Sequence, residues 1–191
     1  MRWLRFAVLF MIVTPVYLLA DSPATRPTTR PFKMSYKLAG GADAWDPAIR
    51  QTIVASMDAA VAHYNELGEF DKVVIANYNP KTPTADGNYN GNINFGTQMN
   101  KRVALHEISH TLGVGQHRNW RRLIVDGKWT GEHALQQLRE FDGPDAVLHA
   151  DRQHFWPYGL NYDKESSEEN DRRHVLMVAA LRKDMGIENG K

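Results

Sequence analysis

Two histidines and a glutamate within one helical turn are the residues of this chain best suited to chemistry. They lie in the segment His106-Glu107-Ile108-Ser109-His110. Side chains four positions apart share one face of an α-helix, so both imidazoles can bind the same metal ion while the glutamate reaches its open coordination position. This H-E-x-x-H spacing is typical of Zn²⁺ sites at which a glutamate acts as general base. We therefore predict a zinc site with hydrolytic chemistry at residues 106–110.

A helix over residues 98–112 has to position these side chains. A step of about 100° per residue places Met99 and Val103 on the same stripe as His106 and His110. The opposite side of this helix is apolar and carries Ala104, Leu105, Ile108 and Leu112. We expect one face of the helix to bind the metal and the other to pack in the core.

The string HEISHTLG, residues 106–113, resembles the first part of the metzincin signature, H-E-x-x-H-x-x-G. Together with HEISHTLGVG, the strings HFWPYGLNY at 154–162 and HVLMVAALRKDMG at 174–186 are similar to secreted bacterial zincin-like domains. The resemblance implies a secreted zinc metalloendopeptidase, a hydrolase that cleaves peptide bonds through a zinc-activated water with Glu107 as general base.

The chain departs from the metzincin pattern at two points. That pattern has its third histidine at position 116, where this chain has Gln116, and His117 follows one residue later. It also has a methionine turn below the metal, whereas Met177 and Met185 lie in a predicted helix and are expected to fill the core. The third zinc ligand therefore cannot be copied from the signature.

Two histidines are candidates for the third ligand. His117 lies just past the predicted helix, where an extra residue at Gly115 could be absorbed as a bulge. His154 opens the aromatic segment HFWPYG, whose proline and glycine look suited to hold a side chain in place. A histidine buried among aromatic rings needs a polar partner, and a metal ion is one. We favour His154, with His117 as the alternative.

Other polar residues have predicted supporting roles or none. Tyr158 or Tyr162 is a candidate to stabilise the oxyanion beside the metal, and Asp151 or Asp145 is a candidate to orient a ligand imidazole. The remaining histidines are expected at surface or capping positions; they are His63, His133, His149 and His174.

The segments before the metal helix predict a small sheet and one long helix. Strands are indicated at residues 32–38, 73–78 and 92–96, and the pair Asp46-Pro47 begins a helix that runs to about residue 67. We expect the last of these strands to be an antiparallel edge strand. Asn92 and Asn94 would then bind an extended peptide by strand addition, with Trp156 as a wall of the site.

The segments after the metal helix predict the lower half of a cleft. Asp126-Gly127 indicates a tight hairpin within residues 123–129, and residues 131–141 are typical of a helix. Ser166 and Glu169 have the spacing of a capping box that opens a last helix, which ends at Gly186. The predicted fold is α+β and zincin-like: a small mixed sheet, an active-site helix and a mainly helical C-terminal subdomain.

The N-terminal residues predict export of the protein. A basic start, a short apolar run and a small residue indicate a signal peptide at 1–20, followed by a Pro- and Thr-rich flexible linker at 21–31 and the zincin-like domain at 32–191. The predicted location is secreted or periplasmic. The chain has no cysteine, so neither a disulfide nor lipid attachment through cysteine is possible.

Charge and composition limit the partners. The formal net charge is +1 and no cluster of Lys and Arg stands out from the acids, which argues against a nucleic-acid partner. We expect a monomer that acts on a peptide or protein substrate and has no stable membrane insertion after signal cleavage. The alternative is a secreted binding module for a surface polymer without turnover, whose aromatic row would be Phe155, Trp156, Tyr158 and Tyr162. The presence of Glu107 favours the enzyme.

Overall fold

The computed structural model of the protein describes residues 32 to 189. The predicted signal peptide and linker, residues 1–31, lie outside the described residues. No helix within residues 32 to 189 has the length and apolar character needed to span a membrane. The fold is α+β, with four α-helices and two small sheets.

The first sheet is mixed and carries the strand that borders the site. Its strands in chain order are β1 (Ser35–Leu38), β2 (Val73–Tyr78), β3 (Ala85–Gly87) and β4 (Asn92–Phe95). The spatial order is β1-β2-β4-β3, with the first three of these parallel and β3 antiparallel to β4. The prediction that residues 92–96 form an edge strand is therefore wrong. The edge is β3, which escaped the sequence analysis because three residues ending in glycine show no apolar alternation.

Helix α1 (Pro47–Leu67) packs against the buried side of this first sheet and confirms the predicted helix start. The Asp46 carboxylate accepts hydrogen bonds from the Ala48 and Ile49 N–H groups, and Pro47 occupies the first helical position, which needs no N–H donor. The apolar side of α1 is fully buried; it includes Ile53, Met57, Ala60 and Tyr64.

Helix α2 (Lys101–Thr111) contains His106, Glu107 and His110, the residues of the predicted metal site. It begins three residues later than predicted, because the Asn100 side chain accepts the Val103 N–H at 2.9 Å and caps the helix there. Every residue from 103 to 114 is buried. Helices α1 and α4 (Glu168–Asp184) and strands β3 and β4 all contact α2, so the helix is packed on several sides.

The C-terminal half combines two helices with a second sheet. Helix α3 (Glu132–Asp142) packs on α4, and the short antiparallel strands follow in the order β5 (Ile124–Val125), β6 (Lys128–Trp129), β7 (His149–Ala150) and β8 (Phe155–Trp156). The hairpin at Asp126-Gly127 is confirmed, since these residues connect β5 to β6 with positive φ angles of 49° and 72°. The prediction of a mainly helical C-terminal subdomain is incomplete, because it left out strands β7 and β8 of the second sheet. Strands of two residues are too short to show an apolar alternation in the sequence.

Two details of the last helix can be compared with the sequence. Its cap is Ser167, whose hydroxyl accepts the Asn170 N–H at 3.1 Å, and the predicted cap Ser166 instead donates to Asp171. The capping residue is thus one position later than predicted. Met177 and Met185 are almost fully buried in the core, which confirms their predicted role.

Candidate metal centre

The structure brings three histidines together on one side of α2. One ligand nitrogen from each of His106, His110 and His154 can be chosen so that all three lie within 4.8 Å of one another. His106 and His110 are buried, and the side chain of His154 is 38% exposed. The ring of His154 stacks on that of His106 with centroids 5.4 Å apart. Such a cluster could hold one metal ion.

The hydrogen bonds of the two helical histidines leave one nitrogen of each ring free. Nδ1 of His106 lies 2.8 Å from the carbonyl oxygen of Gly159, and Nδ1 of His110 lies 2.8 Å from that of Val114. A carbonyl only accepts, so both Nδ1 atoms carry the proton and donate it. Each Nε2 then presents a lone pair to the centre, which is the tautomer that a metal ligand requires.

The spacing of these lone pairs fits a metal. The two Nε2 atoms lie 3.2 Å apart. Nitrogens at about 2.0–2.1 Å from a tetrahedral zinc would be separated by about 3.3 Å. Burial, followed by the charge of neighbouring His110, lowers the pKa of His106 well below its ordinary value, and burial also lowers that of His110. Both rings therefore stay neutral near pH 7, and a cation between them would relieve the repulsion of their lone pairs.

Asp151 places the third histidine. Its Oδ1 accepts the backbone N–H groups of Gln153 at 2.8 Å and His154 at 2.7 Å, and it lies 3.7 Å from Nδ1 of the His154 ring. The carboxylate thus closes the turn before His154 and faces its ring, and the orientation of a ligand imidazole by this aspartate stays a prediction. The other candidate aspartate, Asp145, is exposed and is not part of the cluster.

His117 lies apart from the three clustered histidines. Its ring packs edge-on against Tyr89 with centroids 5.5 Å apart, and its Nδ1 accepts the Asn119 N–H at 3.3 Å. Gly113 and Gly115, with φ angles of 117° and 68°, form the turn between α2 and His117. Of the two candidate ligands, the structure brings His154, and not His117, next to His106 and His110.

Glu107 lies beside the histidines and is 6% exposed. Burial and the nearby charge of Asp86 raise its pKa to about 7, although Arg102 and a hydrogen bond from Gly87 act in the opposite direction. A Cβ on Gly87 would overlap the backbone of Glu107, so β3 approaches the helix this closely only because it ends in glycine. A carboxylate with a near-neutral pKa can exchange a proton at physiological pH.

These groups line a cleft of about 440 Å³. One wall consists of Thr84 and strand β3, and the other of residues from the 151–163 region, among them Gln153, Asn161 and Tyr162. Tyr162 is 65% exposed at the cleft. Asn161 belongs to this lining, and its Oδ1 is buried without a hydrogen-bond partner within residues 32–189.

Two aromatic residues predicted in the site lie outside the cleft. The Tyr158 hydroxyl donates to Asp142 at 2.6 Å and also contacts Arg173, so it is occupied elsewhere. Trp156 stacks on His149 with centroids 5.8 Å apart and is 42% exposed. Phe155 is buried, which means that the aromatic row proposed for a binding module is divided among core, surface and cleft.

The two asparagines predicted to bind substrate lie within the first sheet. Strand β4, which contains Asn92 and Asn94, is paired on both sides and has no free edge for a peptide. The Asn94 side chain donates to Asp86 and accepts from Asn77, each at 2.9 Å. Strand addition at these residues is therefore excluded, and the strand available at the cleft is β3.

Sequence analysis missed one buried histidine and one cleft arginine. His174 was expected at the surface, but it is fully buried, with Nδ1 donating to the Tyr158 carbonyl at 2.7 Å. Arg102 lines the cleft and forms a salt bridge of 2.7 Å with Asp163. Both contacts join residues far apart in sequence, and no local pattern signals them.

Comparisons of the chain with models of known protein families, with curated protein sequences and with solved structures find no match. The chemistry of the site has to be inferred from its own side chains. These are three histidines, two of them with a free Nε2, and a buried glutamate in the same cleft.

Proposed function

We propose that the protein is an exported zinc-dependent metallopeptidase of zincin-like fold. The observation that carries the proposal is the joint placement of His106, His110, His154 and Glu107 at one cleft. Three protein ligands and an adjacent carboxylate are the set that catalytic zinc sites use, since they leave one position open for chemistry. The four-stranded mixed sheet with an antiparallel edge strand beside the metal helix supports the zincin-like assignment.

The donor atoms favour zinc over the hard cations. Neutral imidazoles suit zinc and other transition metals, whereas Ca²⁺ and Mg²⁺ require oxygen ligands. Zinc bound here would supply a Lewis acid that lowers the pKa of a water molecule and polarises the scissile carbonyl. The carbonyl groups of Gly159 and Val114 keep His106 and His110 in the tautomer that this role needs.

Glu107 is the proposed general base. In the metal-free site, burial and the charge of Asp86 raise its pKa to about 7. With zinc bound, the carboxylate would accept a proton from the attacking water and later donate it to the leaving amine. The hydrogen bond from Gly87 holds the carboxylate in place between β3 and α2. The amine then leaves neutral, and the carboxylate is ready for the next cycle.

The free edge of β3 supports a peptide as substrate. Residues of β3 line the cleft beside Glu107, and an exposed strand edge binds extended peptides through backbone hydrogen bonds. Tyr162, which also lines the cleft, is the proposed donor to the oxyanion in place of Tyr158. The division of the aromatic row leaves the alternative of a binding module without structural support.

Metal analysis and hydrolysis together test the function. Protein purified without chelator should contain one zinc per chain and cleave casein or a peptide library, with activity lost on chelation and restored by zinc. Glu107→Gln should retain zinc and fold but lose turnover by at least ~10². Absence of zinc, or full turnover in the Gln variant, would contradict the proposal. N-terminal sequencing of the exported protein tests the predicted cleavage after residue 20.

A further inference from the structure

A second groove continues the catalytic cleft and carries a different charge. It has a volume of about 660 Å³, and its lining consists of Gly115, Gln116, Arg121, Asp151, Arg152 and Gln153. Gln116 and Gln153 line both the cleft and this groove, so the two spaces meet at these residues. We call it the basic groove and propose that it is a specificity subsite for an acidic side chain of the peptide substrate. The proposal rests on the proposed peptidase function.

The two arginines of the basic groove are available to a ligand. Arg121 and Arg152 are exposed, and neither forms a salt bridge within residues 32–189. Asp151 is the one acidic residue of the lining, but its Oδ1 already accepts two backbone N–H groups and faces the ring of His154. A guanidinium group binds a carboxylate through paired, charge-assisted hydrogen bonds. The groove therefore favours a carboxylate over a neutral side chain.

The position of the basic groove fits a residue close to the scissile bond. Gln153, which lines it, directly precedes the proposed ligand His154. An extended peptide advances about 3.3 Å per residue, so a side chain a few residues from the reacting carbonyl can enter. The walls are held in contact, since a Cβ on Gly115 would overlap the backbone of Gln153.

The charges in the rest of the catalytic cleft determine on which side of the scissile bond an acidic side chain is preferred. Its one arginine, Arg102, is already paired with Asp163 at 2.7 Å, and β3 contributes the acidic Asp86. An acidic side chain would thus meet unpaired cations on the side of the basic groove and a carboxylate beside β3. We expect selection for Glu or Asp on one side of the scissile bond only.

Matched peptides test this subsite in the zinc-loaded enzyme. A set of peptides carrying Glu, Gln or Lys at each position around one scissile bond is compared by kcat/KM. At one position the Glu peptide should exceed the Gln peptide by about tenfold or more. The double variant Arg121→Glu/Arg152→Glu should reverse this order and favour Lys. The control is Lys128→Glu, which reverses one exposed charge on β6 outside the groove lining and should keep the wild-type ratio.

Two outcomes would overturn the subsite, and they are separable from failure of the peptidase proposal. Peptides hydrolysed with equal kcat/KM for Glu and Gln at every position would exclude the subsite and leave the peptidase intact. If no peptide is hydrolysed, binding of the labelled peptides is measured by fluorescence anisotropy. Tighter binding of the Glu peptide, lost on charge reversal, would retain the groove without the peptidase. Equal or undetectable binding would exclude the groove as well.

Discussion

Helix α2 and the segment of residues 151–162 both contribute to the cluster of three histidines, and they hold their histidines by different means. In α2, His106 and His110 are one turn apart in a helix that is buried on every side from residue 103 onward. In the segment, the side chain of His154 is 38% exposed and its position depends on polar contacts with Asp151. Helical geometry alone sets the first pair, whereas the position of the third histidine depends on a set of individual hydrogen bonds.

Residues of the segment also hold the histidines of α2 in place. The Gly159 carbonyl accepts the proton of His106 Nδ1, and the Asn161 side chain donates to the Phe155 carbonyl at 3.0 Å. A Cβ on Gly159 would overlap the Phe155 carbonyl, so this turn closes only with glycine. Substitution of an exposed polar residue of the segment, such as Asp151, should change metal affinity with little effect on the fold. Substitutions in buried α2 should affect both.

The largest expected effect separates the two candidate third ligands. His154→Ala should lose zinc, with an affinity loss greater than the roughly 10–100-fold that follows removal of an outer partner of a ligand. The matched control His117→Ala removes the same ring from a position against Tyr89 and should keep its zinc. Zinc content and affinity by competition with a chelator give the answer. A zinc-free His117 variant beside a loaded His154 variant would reverse the assignment.

Asp151 tests how far the segment depends on polar contacts. Asp151→Ala removes the acceptor of two N–H groups and the charge that faces His154, so zinc affinity should fall by about 10–100-fold. Asp151→Asn keeps an oxygen for the turn and should lose less. The comparison of the two variants in a zinc titration separates turn geometry from charge. Wild-type affinity in the Ala variant would show that the segment holds His154 without its carboxylate.

Tyr162 tests whether the segment also acts on the substrate. Tyr162→Phe removes one hydroxyl from a side chain that lines the cleft, and kcat should fall about tenfold while zinc content stays the same. The expected loss is modest because the side chain is 65% exposed. Tyr89→Phe is the control, since that ring is also partly exposed but does not line the cleft. An unchanged kcat in Tyr162→Phe would leave the oxyanion without a tyrosine donor.

A substitution of His174 should change the site least. This residue connects helix α2 with the segment of residues 151–162. Its Nδ1 donates to the Tyr158 carbonyl, and its Nε2 lies 3.2 Å from the hydroxyl of Tyr64, which donates to the Leu105 carbonyl of α2. Burial lowers the pKa of His174 from 6.5 to about 4. Between these pH values the unfolded chain binds more protons than the folded chain, so the free energy of unfolding decreases as pH falls.

The pH dependence of stability should therefore differ between wild type and His174→Gln. In the wild type, protonation of this group in the unfolded chain lowers the free energy of unfolding by roughly 3 kcal/mol as pH falls from 6.5 to 4, and this loss is absent above pH 6.5. The Gln side chain does not titrate, so the variant should be less stable at pH 7 but flatter below it. Urea unfolding of metal-free protein at a series of pH values measures this difference. Parallel curves for the two proteins would contradict the expectation.

The sequence alone determined those elements that depend on interactions between near neighbours in the chain. The cap at Asp46, the span of α1, strand β2 and the hairpin at Asp126-Gly127 were predicted correctly, because capping, apolar periodicity and turn residues act between near neighbours in the chain. The joint placement of His106, Glu107 and His110 follows in the same way from the helical repeat alone.

Tertiary structure decided what depends on contacts between distant segments. The choice of His154 over His117, the edge position of β3 and the burial of His174 each depend on a partner far away in the chain. The basic groove likewise forms only when Arg121 and Arg152 are brought to one surface beside the cleft. A sequence pattern records which side chains are available and how neighbours are spaced; packing and long-range hydrogen bonds determine which of them meet.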